Sequence, residues 1–293
     1  MYAITCCSTA DLPAQFFEKT GISYARFHFS MNGVEYEDDL GASISPEAFY
    51  QQIRQGALPV TSQVNVQQYE ELFEPVLCSG RDLIHLTLSS GISGSISSAR
   101  IAARELAERY PGRRIQVIDS LAAASGYGLL VEEAYTRQQE GMSFDQLVSW
   151  IEENKRKLHH WFFSTDLTHF RRGGRISASS ALFGNMLNIC PLMNVNSQGK
   201  LIPREKIRGK KRVMGQMLRQ MELHAQEGTA YRGRCFLSHS DCPQDAKELA
   251  AMVEQAFPHL DGPVEIFPIG TVIGSHTGPG TVALFFWGDE RTL

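Results

Sequence analysis

The stretch Leu83-Ile84-His85-Leu86-Thr87-Leu88 runs straight into Ser89-Ser90-Gly91-Ile92-Ser93-Gly94-Ser95 and then into a helical pattern that Pro111-Gly112 ends. A short run of apolar residues, a loop of hydroxyls and glycines, and a longer amphipathic segment make one strand–loop–helix unit. The order occurs twice more. Residues 2–6 are apolar and are followed by Ser8-Thr9-Ala10-Asp11-Leu12-Pro13, a helix-start signal. Residues 115–118 are followed by Asp119-Ser120 and a small-residue helix from 121 to about 139. Three such units predict an α/β fold with a mainly parallel sheet and helices on both faces.

Other elements extend outward from this frame. Ser45-Pro46 starts a helix well, with a capping hydroxyl and a proline in the first turn. Residues 66–77 and 143–157 read as helices, the second carrying Phe144, Leu147, Val148 and Ile151 on one side. Composition shifts at 155–160, and Trp161-Phe162-Phe163-Ser164 opens a new segment. Residues 234–238, 264–273 (as one or two strands) and 283–287 read as strands. We expect two domains: an N-terminal α/β domain over 1–158 and a C-terminal α/β domain over 159–293.

With 293 residues, two cores are affordable. Net charge is −4, which argues against a general attraction to nucleic acid or to an anionic membrane. No apolar run approaches the ~20 residues of a membrane span, and the first residues lack a signal peptide's pattern, so a cytoplasmic protein without stable membrane insertion is expected. The cysteines Cys6, Cys7, Cys78, Cys190, Cys235 and Cys242 form no Cys-x-x-Cys pair, so we expect reduced thiols and no metal site.

In open parallel sheets, ligands bind beyond the carboxyl ends of the strands. Here those ends carry hydroxyls and glycines at helix starts, where free backbone N–H groups favour an anion. The same residues also serve as ordinary helix caps. Thr61-Ser62-Gln63, ahead of a helix, has both readings. So does Arg171-Arg172-Gly173-Gly174-Arg175: an anion clamp or a solvated basic turn. Ala181, Leu182, Phe183, Met186, Leu187 and Ile189 line a greasy cavity or belong to the core. His276, in Gly274-Ser275-His276-Thr277-Gly278-Pro279-Gly280, is structural in a tight turn or a donor to a bound oxygen. His159-His160, beside a lysine-rich helix end, read as surface residues or as partners of the helix dipole. There is no phosphate loop, no dinucleotide fingerprint and no His-Glu-x-x-His. Gly91-Ile92-Ser93-Gly94-Ser95 narrowly fails the Gly-x-Ser-x-Gly nucleophile elbow, leaving a serine hydrolase or transferase using Ser93 and His276 as the alternative to a binding protein.

Together the motifs resemble the DegV family of fatty-acid-binding proteins. The resemblance rests on Cys-Ser-Thr-Ala-Asp-Leu-Pro from Cys7, Thr61-Ser62-Gln63, the Ser89 to Ser95 loop, Asp119-Ser120, and Arg-Arg-Gly-Gly-Arg-Ile-Ser from Arg171. It continues through Leu187-Asn188-Ile189-Cys190-Pro191-Leu192, Gly199-Lys200-Leu201-Ile202-Pro203, Arg208-Gly209-Lys210-Lys211 and His276-Thr277-Gly278-Pro279-Gly280, covering about residues 2–287. It implies a two-domain fold with a long-chain fatty acid, such as palmitate or oleate, buried between the domains. Thr61 and Ser93 would contact the carboxylate, with Ser62 and Gly94 beside them and Arg172, His276, Thr277 and Ser120 in the nearby polar network. It implies no catalytic residue and no cofactor in this chain. A separate kinase subunit would phosphorylate the bound acid with ATP, and the acyl phosphate would enter phospholipid synthesis. The family usually has Asp where this chain has Cys7, an acid expected close to the head group, and Lys where it has Cys190.

Overall fold

The structure, a computed structural model, describes residues 1–176 and 189–293. Residues 177–188, which include Ala181, Leu182, Phe183, Met186 and Leu187, lie outside the described residues. In chain order the strands are β1 (Tyr2–Cys7), β2 (Ser23–Ala25), β3 (His28–Met31), β4 (Val34–Glu37), β5 (Val60–Ser62), β6 (Asp82–Thr87), β7 (Ile115–Asp119), β8 (Leu158–Ser164), β9 (Ile189–Val195), β10 (Leu201–Arg208), β11 (Phe236–His239), β12 (Glu265–Pro268) and β13 (Thr281–Trp287).

The three strand–loop–helix units form the expected parallel sheet. Its order is β2-β1-β6-β7, and every pairing in it is parallel. Leu83 to Thr87 of β6 are buried without alternation, as a parallel strand covered on both faces must be. The helix Ser95–Arg109 turns Ile96, Ala99, Ala102 and Leu106 inward, a helical spacing that places one stripe on the sheet.

A second sheet has the order β10-β9-β8-β13-β11-β12. It is antiparallel except for the β11–β12 pair. All seven residues of β8 are buried. This corrects the reading of His159 and His160 as surface residues: both are buried, because β8 lies in the middle of the sheet and not at a helix end. Helices Lys210–His224 and Pro243–Ala256 cover this sheet through Met214, Met217, Met221, Leu249 and Val253.

Two departures matter for function. Residues 264–273 do not all form strands: β12 ends at Pro268, and the helix Thr271–Thr277 follows. His276 therefore sits in the last turn of a helix and not in a tight turn. Glycine at 274 admits this helix, since a Cβ there would press on the Tyr50 hydroxyl at 2.5 Å. Thr61 and Ser62 do not cap the helix Val66–Cys78; Asn65 does, in a reciprocal capping box with Gln68. Their β5 instead joins a small antiparallel sheet, β4-β3-β5, absent from the expectations above although Asn32-Gly33, both at positive φ, marks the β3–β4 hairpin turn.

The helix Ala124–Gln139 joins the two halves. It packs on β8, β11 and β13 on one side and on the turn Ser8–Ala10 on the other. Gly126 makes the first approach possible, because a methyl there would overlap Phe285 and lie 2.6 Å from His160 Nε2. We expect Gly126→Ala to cost about 1–3 kcal/mol through overpacking, more than alanine returns as a helix former. Gly215→Ala, in a helix position with open space around it, should instead stabilise by about 0.5–1 kcal/mol. The urea midpoints of the two variants should move in opposite directions.

Candidate ligand cavity

The carboxyl end of β6, the loop after β7 and the faces of β8, β9 and β13 meet around one cavity. The cavity and its mouth hold about 810 Å³ of empty space, open solvent at the mouth included. Most of its wall is apolar, with Leu88 and Ile92 from the first sheet's side and Phe162, Val195 and Phe285 from the second. At its polar end are Thr61, Ser62, Gln63, Ser93, Arg175, His276 and Thr277. Among the described lining residues, Arg175 is the one that carries a charge at neutral pH.

Each polar side chain is held by local geometry. Thr61 Oγ1 lies 2.8 Å from His276 Nε2. Ser93 Oγ accepts a hydrogen bond from the Ser95 backbone N–H at 3.2 Å, which leaves its own proton free to donate. Arg175 donates from Nε to the Ile92 carbonyl at 3.1 Å and from a terminal nitrogen to Gly173 O at 2.5 Å. Burial holds its pKa below the usual arginine value, yet a guanidinium so far above neutrality keeps its charge. Gly173 has a steric task, since a Cβ there would overlap His276 Nδ1.

His276 is driven to its neutral form. Burial first, then the nearby charges of Arg175 and Arg172 and the ring of His169, lower its pKa to about 4. His160, also on the cavity wall, is pushed well below its ordinary value by burial and by Arg291. Its ring stays neutral, with Nδ1 donating to the Leu158 carbonyl at 3.0 Å and Nε2 accepting from the Ala123 N–H at 3.3 Å.

The residues expected from the sequence divide into two sets. Thr61, Ser62, Ser93, His276 and Thr277 line the cavity. Gly94, Arg172 and Ser120 are not among the lining residues. Gly94 leaves room for the Gln63 side chain, 3.2 Å from where its Cβ would be. Arg172 donates to the Pro59 carbonyl at 3.0 Å, bracing the strand that carries Thr61. Ser120 is buried in a turn, where its hydroxyl bonds the backbone of Ala122. Cys7 is also enclosed and off the wall: its Sγ lies 3.6 Å from Tyr69 Oη and 3.8 Å from His85 Nε2, and burial raises its pKa. Tyr69 Oη in turn lies 2.6 Å from Ser95 Oγ, and the Cys7 thiol also meets the Leu88 backbone at the start of the Ser93 loop. Sequence reasoning missed His160 and Gln63 as wall residues; no local signal marks a strand histidine as facing a cavity.

Ser93 and His276 make no hydrogen bond to each other among the described residues. His276 Nε2 is taken by Thr61, and its buried Nδ1 has no partner. A nucleophilic serine needs the imidazole on its hydroxyl and an acceptor behind it, and neither contact is made.

Fold and cavity together define a two-domain α/β protein with a mostly apolar chamber and a cationic, hydroxyl-rich end. The chain belongs to the DegV family, whose model, described as "Uncharacterised protein, DegV family", matches residues 1–289. It is similar to a DegV domain-containing protein of Clostridium perfringens, at 39% identity over 293 residues, 99% of this chain and 98% of that one. Among solved structures it resembles a DegV family protein from Thermus thermophilus described by its fatty acid binding, with a TM-score of 0.87, 26% identity, and coverage of 98% and 99% of the two chains. It likewise resembles a fatty acid binding DegV family protein from Streptococcus agalactiae, with a TM-score of 0.83, 27% identity, and 99% of each chain covered.

The histidines make stability depend on pH. His276 at about 4, His159 at about 4 and His85 at about 3 all lie below the ordinary 6.5 of an exposed imidazole. On acidification the unfolded chain therefore takes up protons first. The stability from the neutral rings is complete above pH 6.5 and is lost as pH falls from there towards about 4. Urea midpoints should be level in these groups' contribution above pH 6.5 and fall steadily below it. The ring resonances of His276 should hold their neutral positions down to about pH 5; an ordinary titration near 6.5 would contradict the buried, arginine-facing setting.

Proposed function

We propose that the cavity holds a long-chain fatty acid such as palmitate or oleate, with its carboxylate at the Thr61, Ser93, Arg175 and His276 end. The observation that carries this reading is charge. A chamber walled by Phe162, Phe285 and Leu88 has Arg175 as its charged lining residue and hydroxyls around it. The ligand that complements it is a monoanion with a long apolar tail. Burying ~16 carbons yields on the order of 10 kcal/mol before entropy costs. The obstacle is the ionised head group, which is very costly to bury without partners. Charge-assisted bonds from Arg175, Ser93 and Thr61 offset that cost. With its proton on Nε2, neutral His276 donates to Thr61 Oγ1, and the threonine's own O–H is then free for the carboxylate. Arg172, Gly94 and Ser120 act from behind, as positioning residues for these loops. The fatty acid binding described for the Thermus thermophilus and Streptococcus agalactiae proteins supports the same ligand.

In this reading the protein is a binding subunit that presents the carboxylate to a separate ATP-dependent kinase subunit. The acyl phosphate formed would feed phospholipid synthesis in the cytoplasm. The lack of a phosphate-loop motif in this chain is in keeping with ATP being held elsewhere. Among the described residues no helix is long and apolar enough to cross a membrane. We place the division between the domains at 158/159, where β8 begins the second sheet.

Native mass spectrometry of protein purified from a bacterial host should show the bound mass of a C14–C18 acid. Losing a hydrogen bond to a charged group costs about 1.5–3 kcal/mol, so Ser93→Ala or Thr61→Ala should each weaken binding of labelled palmitate roughly ten- to a hundredfold. Unchanged affinity in the double variant would place the head group elsewhere. Failure of the unmodified protein to take up palmitate or oleate would remove the ligand assignment itself.

A further inference from the structure

Away from the cavity, three side chains from distant parts of the chain converge. His159, buried on β8, has Nε2 2.9 Å from Asp289 Oδ1 and 3.0 Å from the Asp289 carbonyl. His224, the last residue of its helix, has Nδ1 3.1 Å and 3.2 Å from the two Asp289 carboxylate oxygens. The ligand-capable atoms of the three residues lie within 4.8 Å of one another. We propose that His159, His224 and Asp289 form a binding site for a divalent transition-metal cation of the zinc class, with two imidazoles and one carboxylate as protein ligands.

The donor set suits that cation. Two imidazoles and a carboxylate make up a familiar three-ligand zinc set, with water completing the shell. Tetrahedral bonds of ~2.0–2.1 Å put neighbouring ligand atoms about 3.3 Å apart. The histidine-to-carboxylate distances of 2.9 Å and 3.1 Å are already close to that spacing, so a cation replaces the shared protons after small side-chain adjustments. His224 and Asp289 are partly exposed and free to make those adjustments, whereas His159 is held.

The frame around the trio is built closely. The His159 ring stacks on Phe286 at 5.2 Å and on His224 at 4.9 Å. The Asp289 N–H donates to the His224 carbonyl at 3.0 Å, next to a backbone bridge between Ala225 and Gly288. Residue 288 must be glycine here, because a Cβ would overlap the His224 carbonyl oxygen. The nearby cation, Arg291, directs its donors at the carbonyls of Arg156, Val195, Leu121 and Lys155. Asp289 also borders a polar groove lined by Asn154, Lys157 and Gln226, from which water reaches the open side. No motif announced the site, since His224 and Asp289 stand 65 residues apart and His159 and Asp289 stand 130 apart.

Titration of the full-length protein with Co²⁺ tests this. The expected result is one equivalent bound, with visible d–d absorption of nitrogen and oxygen ligation that Zn²⁺ abolishes. Asp289→Asn and His224→Gln should each weaken Co²⁺ binding at least tenfold, while fatty acid uptake stays unchanged. A thiolate-to-cobalt charge-transfer band, or equal affinity in both variants, would overturn the assignment. Should the variants fold poorly, the unmodified protein still decides the matter: Zn²⁺ must raise its Tm, and no rise means that the trio is only a hydrogen-bonded clasp.

Discussion

Ser89 donates to the Gly199 carbonyl at 2.8 Å, and in the same place Gly91 lies so close to the Gly199 backbone that no Cβ fits on either side. This contact joins the loop after β6 to the turn between β9 and β10, one from each sheet. The Ser89 hydroxyl fills the space between the two backbones, which leaves no room for a side chain on Gly91 or Gly199. The cavity lies beside this joint, and its walls come from both halves. If the joint widened, Leu88 and Ile92 would separate from Val195 and Leu201, and the chamber would open to water. Gly126 maintains a second close approach, between the helix Ala124–Gln139 and β13.

The polar end works under a different constraint. A half-buried guanidinium beside mostly apolar walls is screened less than one in open water, which strengthens the electrostatic contacts it makes. Burial first, then the charges of Arg175 and Arg172, keep His276 neutral, so the imidazole lies against Thr61 without adding a second cation. Positive charge at this end is thus concentrated on an arginine anchored by backbone carbonyls. The Cys7 position, where the resemblance led us to expect Asp, is not on the cavity wall and meets Tyr69 and His85. A thiol there avoids placing a carboxylate in that enclosed setting.

The parallel sheet was legible in the sequence because each of its units is local. An apolar run, a hydroxyl and glycine loop and a periodic helix lie within about thirty residues of one another, and periodicity records which face is buried. The capping of a helix at Ser45 was legible for the same reason. In the small sheet β4-β3-β5 the hairpin had a local signal, Asn32-Gly33 between two alternating strands, whereas β5 had none, since three residues are too few to alternate. The helix Thr271–Thr277 was hidden by its β-branched residues and by the glycines that admit it to a crowded place.

By itself, the sequence determined the parallel α/β frame, the Ser and Thr loops at its carboxyl edge, and the set of side chains able to hold an anion. Spacing could not choose between a cap and a binding group at Thr61, or between a clamp and a solvated turn at Arg175. Tertiary structure decided where each of them lies. Asn65 takes over the capping, so Thr61 is left to face His276 across 215 positions of chain, and Arg175 is folded onto the Ile92 carbonyl and the cavity wall. The physical reason is that a hydroxyl or a guanidinium has the same chemistry wherever it lies in a sequence. Its role follows from which partners satisfy it and which face of it is kept from water, and only the packing of the two sheets sets those.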